Sequence, residues 1–315
     1  MLQQTPSKFS IKLYNIATNI RYRLEASVAI SMLNLARLLP VQTALSFMDK
    51  ITGFVGPRTS RQKLALKNVA LAFPEKSEEE REEIVSQMWS NMSRLGAEYI
   101  FLDKISKYDP ENPDNGNIEV IGTDIFLDLM ENPRPFIVFT MHAGNFELLP
   151  IVSQKYGLSV SALFRPPNNP YIAKKIFSAR GAHVDDLVPS TAGAAWTLAH
   201  KLDRNGGVGM LVDQKFDKRG ADTTFFGHKV RTNPLLAKLA RQYECDVFPA
   251  RCIRLPEGRF RIELEPAIDI PKNADGVVDI NATCQLLNDK VEDWVREYPG
   301  QWQWFHDRWN IKHTL

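Results

Sequence analysis

Phe136-Ile137-Val138-Phe139-Thr140-Met141 runs directly into His142-Ala143-Gly144-Asn145-Phe146-Glu147. A short apolar and β-branched run ending at a turn signal reads as a buried strand, and a helix is expected to follow over about 145–156. In open α/β sheets, ligands bind beyond the carboxyl ends of strands, which is where His142 falls. Gly144 permits a tight turn or a close backbone approach. Glu147, one helical turn in, can fold back toward the imidazole. A carboxylate fixing one ring nitrogen leaves the other to take a proton from a hydroxyl, and it stabilises the imidazolium that forms. No serine or cysteine nucleophile lies nearby in an elbow motif. The pattern therefore suits direct attack by an alcohol on an activated acyl group, with no covalent enzyme intermediate. Histidine with an acid five residues on is also a common purely structural pair.

The surrounding chain has matching texture. Runs rich in branched and aromatic residues fall at 118–121, 135–140, 159–164, 207–212, 247–253 and 259–264. Helix-like stretches fall near 145–156, 169–180, 190–204, 233–244 and 280–298. This order predicts an α/β fold with a largely parallel central sheet flanked by helices. Arg165 ends the strand after His142 and leads into a stiff Pro/Asn loop, while Asp213 and Gln214 end another strand. Three strands ending in polar groups predict one shared rim, although Arg165 and Asp213 are equally at home as loop ion-pairing residues. Phe225-Phe226-Gly227 followed by Val230 to Pro234 reads as a turn into a capped helix. The tail Gln301-Trp302-Gln303-Trp304-Phe305-His306-Asp307-Arg308-Trp309 is expected to pack on the body, with His306 and Arg308 as structural hydrogen-bond donors.

Towards the N-terminus the pattern becomes helical. Ser77 with Glu80 forms a capping-box signature, and Ile84, Met88, Met92, Leu95, Tyr99 and Leu102 follow at helical spacing. Leu24, Val28, Met32, Leu35 and Leu39 mark a helical apolar face between basic stretches, interrupted by Arg37 and Pro40. That interruption argues against a transmembrane helix and favours one lying in an anionic bilayer surface, a buried core helix being the alternative. Residues 1–75 hold ten Lys/Arg against Glu25, Asp49 and Glu75, although the net charge of all 315 residues is only +2. The basic quarter suggests a membrane as neighbour, and the total gives no support for nucleic-acid binding. The expected organisation is a basic, membrane-facing region over 1–56 and an α/β domain over 57–315. Apolar residues at 44% and charged residues at 24% exclude a disordered chain. Cys245, Cys252 and Cys284 are an odd set without paired spacing, which argues against a disulfide framework and a zinc site. No signal peptide is expected.

Taken together, these residues resemble the bacterial late (secondary) lipid A acyltransferases, the lauroyl/myristoyl acyltransferase family. The matching pieces are Asn68 to Pro74, His142 to Glu147, Phe164-Arg165-Pro166 with Asn169-Pro170, Asp213-Gln214, Phe225-Phe226-Gly227, and Gln301 to Trp304 with His306 and Arg308. They occur in the family's order across roughly 55–310. The resemblance implies a glycerolipid-acyltransferase-like fold at the cytoplasmic face of the bacterial inner membrane. It implies transfer of a fatty acyl chain from acyl carrier protein to a hydroxyl of an acylated lipid A precursor or another glycolipid. The thioester would be the co-substrate, with no cofactor and no metal. By resemblance, His142 is the general base and Glu147 its acidic partner. Arg165, Arg180, Asp213 and Asn145 are the candidates for binding substrate or a developing oxyanion. The exposed-looking Lys174, Lys175 and Arg180 form either a steering patch for the acidic carrier protein or a plain solvated helix face. Two other readings are a glycerol-phosphate-type acyltransferase, whose glycine-rich context is missing here, and a non-catalytic lipid-binding protein.

Overall fold

In the computed structural model the described residues are 8–113, 115–164, 168–181, 187–190, 193–216 and 219–311. Helices α1 (Lys8–Ala36), α2 (Val41–Val55), α3 (Ser60–Ala72), α4 (Glu78–Glu98) and the short α5 (Leu102–Ile105) precede the sheet. Then follow β1 (Ile118–Ile121), α6 (Thr123–Glu131), β2 (Phe136–Thr140), α7 (Leu148–Lys155), β3 (Val160–Phe164), α8 (Pro170–Gly181) and β4 (Leu187–Pro189). The chain continues through α9 (Ala194–Leu202), β5 (Gly207–Leu211), β6 (Ala221–Phe225), β7 (His228–Thr232) and α10 (Leu235–Tyr243). It closes with β8 (Asp246–Arg254), β9 (Phe260–Leu264) and α11 (Ile280–Glu297).

Seven strands form one mixed sheet in the order β1-β9-β8-β2-β5-β3-β4, parallel at every pairing except β8 with β9. The α/β architecture with a mostly parallel, helix-flanked sheet is the one expected. Side chains alternate across the sheet. Ile137 and Phe139 of β2 join a core with Met88, Leu198, Leu287 and Trp302, while Phe136 joins another with Phe126, Leu148 and Val152. β2 is thus packed on both faces, which is why its sequence is a continuous apolar run.

Three local expectations change. The Phe226–Gly227 turn joins two antiparallel strands, β6 and β7, and does not lead straight into a helix; Phe226 (φ 50°) and Gly227 (φ 74°) supply the left-handed turn that a tight hairpin needs. The helix after Asn145 starts only at Leu148. The apolar window 24–48 forms two helices, broken at 37–40 where Pro40 takes an extended conformation before α2. The capping box is present as expected: Glu80 N–H donates to Ser77 Oγ at 3.2 Å, and Ser77 N–H donates to Glu80 Oε2 at 2.8 Å.

The division expected at residue 56 falls at the tight turn Gly56–Arg58. α2 buries Ala44 and Leu45 and is tied to α4 by Arg94, whose Nε donates to Asp49 Oδ2 at 2.8 Å. α1 lies along α8. Asn169 Nδ2 donates to the Tyr22 carbonyl at 2.9 Å, and Arg23 Nε donates to the Tyr171 hydroxyl at 2.8 Å. The opposite face of α1 carries Ile20, Leu24, Val28, Met32 and Leu35, all exposed. No helix among the described residues is long and apolar enough to cross a membrane.

Candidate functional site

β2 and β5 are parallel neighbours with Thr140 opposite Leu211, and Val212 N–H extends the ladder to the Thr140 carbonyl at 3.1 Å. His142 and Asp213 each lie two residues beyond that register, so the sheet itself sets them side by side. His142 Nδ1 donates to Asp213 Oδ1 at 2.7 Å, and the His142 backbone N–H donates to Oδ2 at 2.9 Å. Trp302 Nε1 donates to the same Oδ2 at 2.8 Å. Burial opposes ionisation of Asp213 more than any one neighbour favours it. The His142 charge, its two hydrogen bonds and the indole N–H together outweigh that penalty and hold the carboxyl down at about 2. Asp213 is therefore a buried anion that fixes the proton of His142 on Nδ1 and leaves Nε2 as the basic atom.

This arrangement corrects one expectation. The carboxylate that orients the ring comes from the neighbouring strand, not from the same loop. Gly144, at φ 56°, turns the chain so closely against β8 that a Cβ there would sit 2.0 Å from the Cys252 carbonyl oxygen. Glu147 consequently occupies the residue before α7, where its Oε1 accepts from the Tyr99 hydroxyl at 2.6 Å. Phe146 meets the imidazole edge-on, with ring centroids 5.2 Å apart. His142 keeps 16% of its side chain exposed, enough to be reached from solvent. Its Nε2 faces Gln214 Nε2 at 3.1 Å.

Asn145 is placed differently from a substrate-binding residue. It is fully buried, and its Nδ2 donates to Glu98 Oε2 at 2.8 Å. Glu98 also pairs with Arg254 through the two terminal guanidinium nitrogens, and Arg254 Nε donates to Asn91 Oδ1 at 2.9 Å. Asn91 in turn donates to the Gly144 and Gln301 carbonyls at 3.3 and 3.0 Å. The loop after β2 thus rests on a buried ionic network in which Glu98 and Arg254 pair with each other, and a charge without its partner there is costly. Arg165 lies outside the described residues, as does the Arg180 side chain. β3, which leads to Arg165, ends at Phe164 on the same sheet edge as β2 and β5. Lys174 and Lys175 are exposed on α8.

A segment unforeseen as part of the site is the strap 301–303. Gln303 N–H donates to the His142 carbonyl at 3.2 Å, and Gly144 N–H donates to the Gln301 carbonyl at 3.3 Å. The Gln301 side chain bridges Arg254 by accepting from its N–H at 2.8 Å and donating to its carbonyl at 2.9 Å. The Gln-Trp-Gln-Trp alternation was the available signal, since period-two patterning marks extended chain. Trp302 and Trp304 are buried, as the packed tail predicted. Arg308 donates to the Gln214 and Arg231 carbonyls, Thr232 Oγ1 and Asn288 Oδ1 at 2.8–3.0 Å. Burial pushes it down to about 10, still charged at neutral pH. His306 accepts where a donor was expected: its Nε2 takes the Lys215 N–H at 3.0 Å. Burial above all, helped by the charges of His142 and Arg308, lowers His306 to about 4.

The chain is 22% identical to a lipid A biosynthesis acyltransferase of Haemophilus influenzae over 81% of this chain and 79% of that one. It is 23% identical to the lipid A biosynthesis myristoyltransferase of Escherichia coli over 82% and 78%. It is also 22% identical to a phosphatidylinositol mannoside acyltransferase of Mycolicibacterium smegmatis over 61% and 62%. The family model for bacterial lipid A biosynthesis acyltransferases matches residues 15–311, and the chain belongs to that family.

Proposed function

We propose that this protein transfers a fatty acyl chain from an acyl-carrier-protein thioester to a hydroxyl of an acylated lipid A precursor, with His142 as general base. The observation that carries the reading is the Asp213–His142 pair, which leaves Nε2 basic at the open edge of the sheet. The acceptor oxygen attacks the thioester carbonyl as its proton passes to Nε2. The tetrahedral intermediate then collapses, the C–S bond breaks, and the imidazolium returns the proton to the thiolate. Asp213 keeps the ring oriented and stabilises the imidazolium. Glu147 enters as a second acid by the motif and not by a contact to the ring. Arg165 and Arg180 are proposed to face the acceptor phosphate or the developing oxyanion. No cofactor takes part.

The exposed apolar stripe of α1, flanked by Arg21, Arg23 and Arg37, supports a helix lying on an anionic bilayer. The proposed place is the cytoplasmic face of a bacterial inner membrane, where an acidic carrier protein delivers the donor. The mycobacterial relative motivates a mannosylated phosphoinositide as the second acceptor to assay.

The test combines purified protein, acyl-carrier-protein thioesters and a tetra-acylated lipid A precursor, with mass spectrometry for one added chain. Phosphoinositide mannoside and phospholipid acceptors run in parallel. Product with the parent but not with folded His142→Ala is expected. Unchanged turnover in His142→Ala sinks the mechanism, and absence of product with every acceptor favours a lipid-binding role.

A further inference from the structure

With the proton of His142 fixed on Nδ1 by Asp213, the lone pair on Nε2 is the atom a general base must offer. In this structure it is already occupied. The Gln214 amide nitrogen stands 3.1 Å away, and an amide nitrogen only donates. The ring does not need this bond for its orientation, because Asp213 and the edge of Phe146 already hold it. The Gln214 backbone is anchored independently: its carbonyl accepts from Arg308 at 3.0 Å, and the next N–H donates to His306 at 3.0 Å. Only the side chain is therefore left to move. An amide offers His142 no abstractable proton, so the contact is chemically silent.

A free Nε2 at a solvent-reachable edge carries a hazard. Water bonded to it is activated as readily as an alcohol: its oxygen attacks the thioester carbonyl and its proton passes to Nε2. The C–S bond breaks, the thiolate recovers the proton, and the products are a fatty acid and a free thiol. We propose that Gln214 caps the basic nitrogen of His142 against water and yields to an acceptor hydroxyl that a bound glycolipid holds in place. The cap rests on the acyl-transfer reading above. A hydroxyl on a bound lipid has a high effective concentration at this point and displaces the amide, whereas unheld water competes poorly.

The test uses the lauroyl thioester of acyl carrier protein with parent, Gln214→Ala and Gln214→Asn, the last too short to reach the ring. Free thiol released without acceptor is compared with chain transfer to the tetra-acylated precursor. The ratio of hydrolysis to transfer is expected to rise about fivefold in both variants, roughly the factor one neutral hydrogen bond contributes. A damaged site lowers both rates together, so an unchanged ratio overturns the cap. A parent that neither transfers nor hydrolyses overturns the acyl-transfer reading instead. The cap is then judged without substrate, by the rate at which diethyl pyrocarbonate carbethoxylates His142, read by peptide mass spectrometry. Faster modification in both variants supports it, and equal rates overturn it.

Discussion

Asp213 grips His142 twice, by the ring through Oδ1 and by the backbone N–H through Oδ2. The same Oδ2 accepts from Trp302, so one carboxylate satisfies three donors and both of its oxygens are committed.

Asparagine at 213 cannot reproduce that pattern. Its single oxygen serves either the ring or the Oδ2 side, and its NH2 then faces a donor. Asp213→Asn is expected to lower kcat by about a thousandfold or more through the wrong tautomer. Steady-state assays of a variant with parental circular dichroism check this, and a loss below tenfold removes Asp213 from the mechanism.

Trp302→Phe removes the indole N–H together with part of the ring, and keeps an aromatic ring packed against Trp304, Phe225 and Trp309. One donor to a buried carboxylate is worth about 1–3 kcal/mol. Turnover should fall roughly tenfold, with thioester KM little changed. A variant as active as the parent contradicts the assigned part of Trp302.

Arg254→Met leaves Glu98 buried without its cation. The expected destabilisation is about 3–5 kcal/mol, measured by urea unfolding. The double variant Arg254→Met with Glu98→Gln should recover part of that loss. No recovery refutes the ionic account of the network.

Two buried groups, His306 and Asp213, contribute to acid unfolding with the same sign. His306 is depressed to about 4 from 6.5, so the unfolded chain takes up its proton first as pH falls. Its contribution is complete above about pH 6.5 and is lost between there and pH 4, at up to about 1.4 kcal/mol per pH unit. Asp213, held at about 2 against an ordinary 3.8, contributes above that value and loses its share between pH 4 and 2. His306→Gln, which keeps an acceptor for Lys215, should flatten the fall of Tm between pH 7 and 5. An unaltered slope argues against a buried neutral His306.

The strand ends carrying His142 and Asp213 were legible because buried parallel strands write themselves as apolar runs. Their partnership was not, since it depends on β2 lying beside β5, a crossover spanning 71 positions. The five-residue spacing pointed to Glu147 because a helix was expected to begin at once. Gly144 delays it until Leu148 and carries Glu147 to Tyr99. Asn91 and Glu98 repeat at helical spacing with Ile84, Met88 and Leu95, but the apolar periodicity drew the eye and this polar stripe in a buried face was not read as a network. Its cation, Arg254, sits at the end of a distant strand with no local mark. The exposed side of α1 was readable as an apolar stripe, but not the small-residue face, with Ala26 and Ala36 buried.

The strap also sets a clock. Asp213 emerges from the ribosome 89 residues before Trp302 does. At about 5–20 residues per second, the loop that carries His142 waits roughly 4–18 s for its clamp. Until then His142 lacks the backbone partner at Gln303 and Asp213 lacks its third donor. The nascent chain therefore passes through an interval in which its sheet can form while the His142–Asp213 pair is still without its strap.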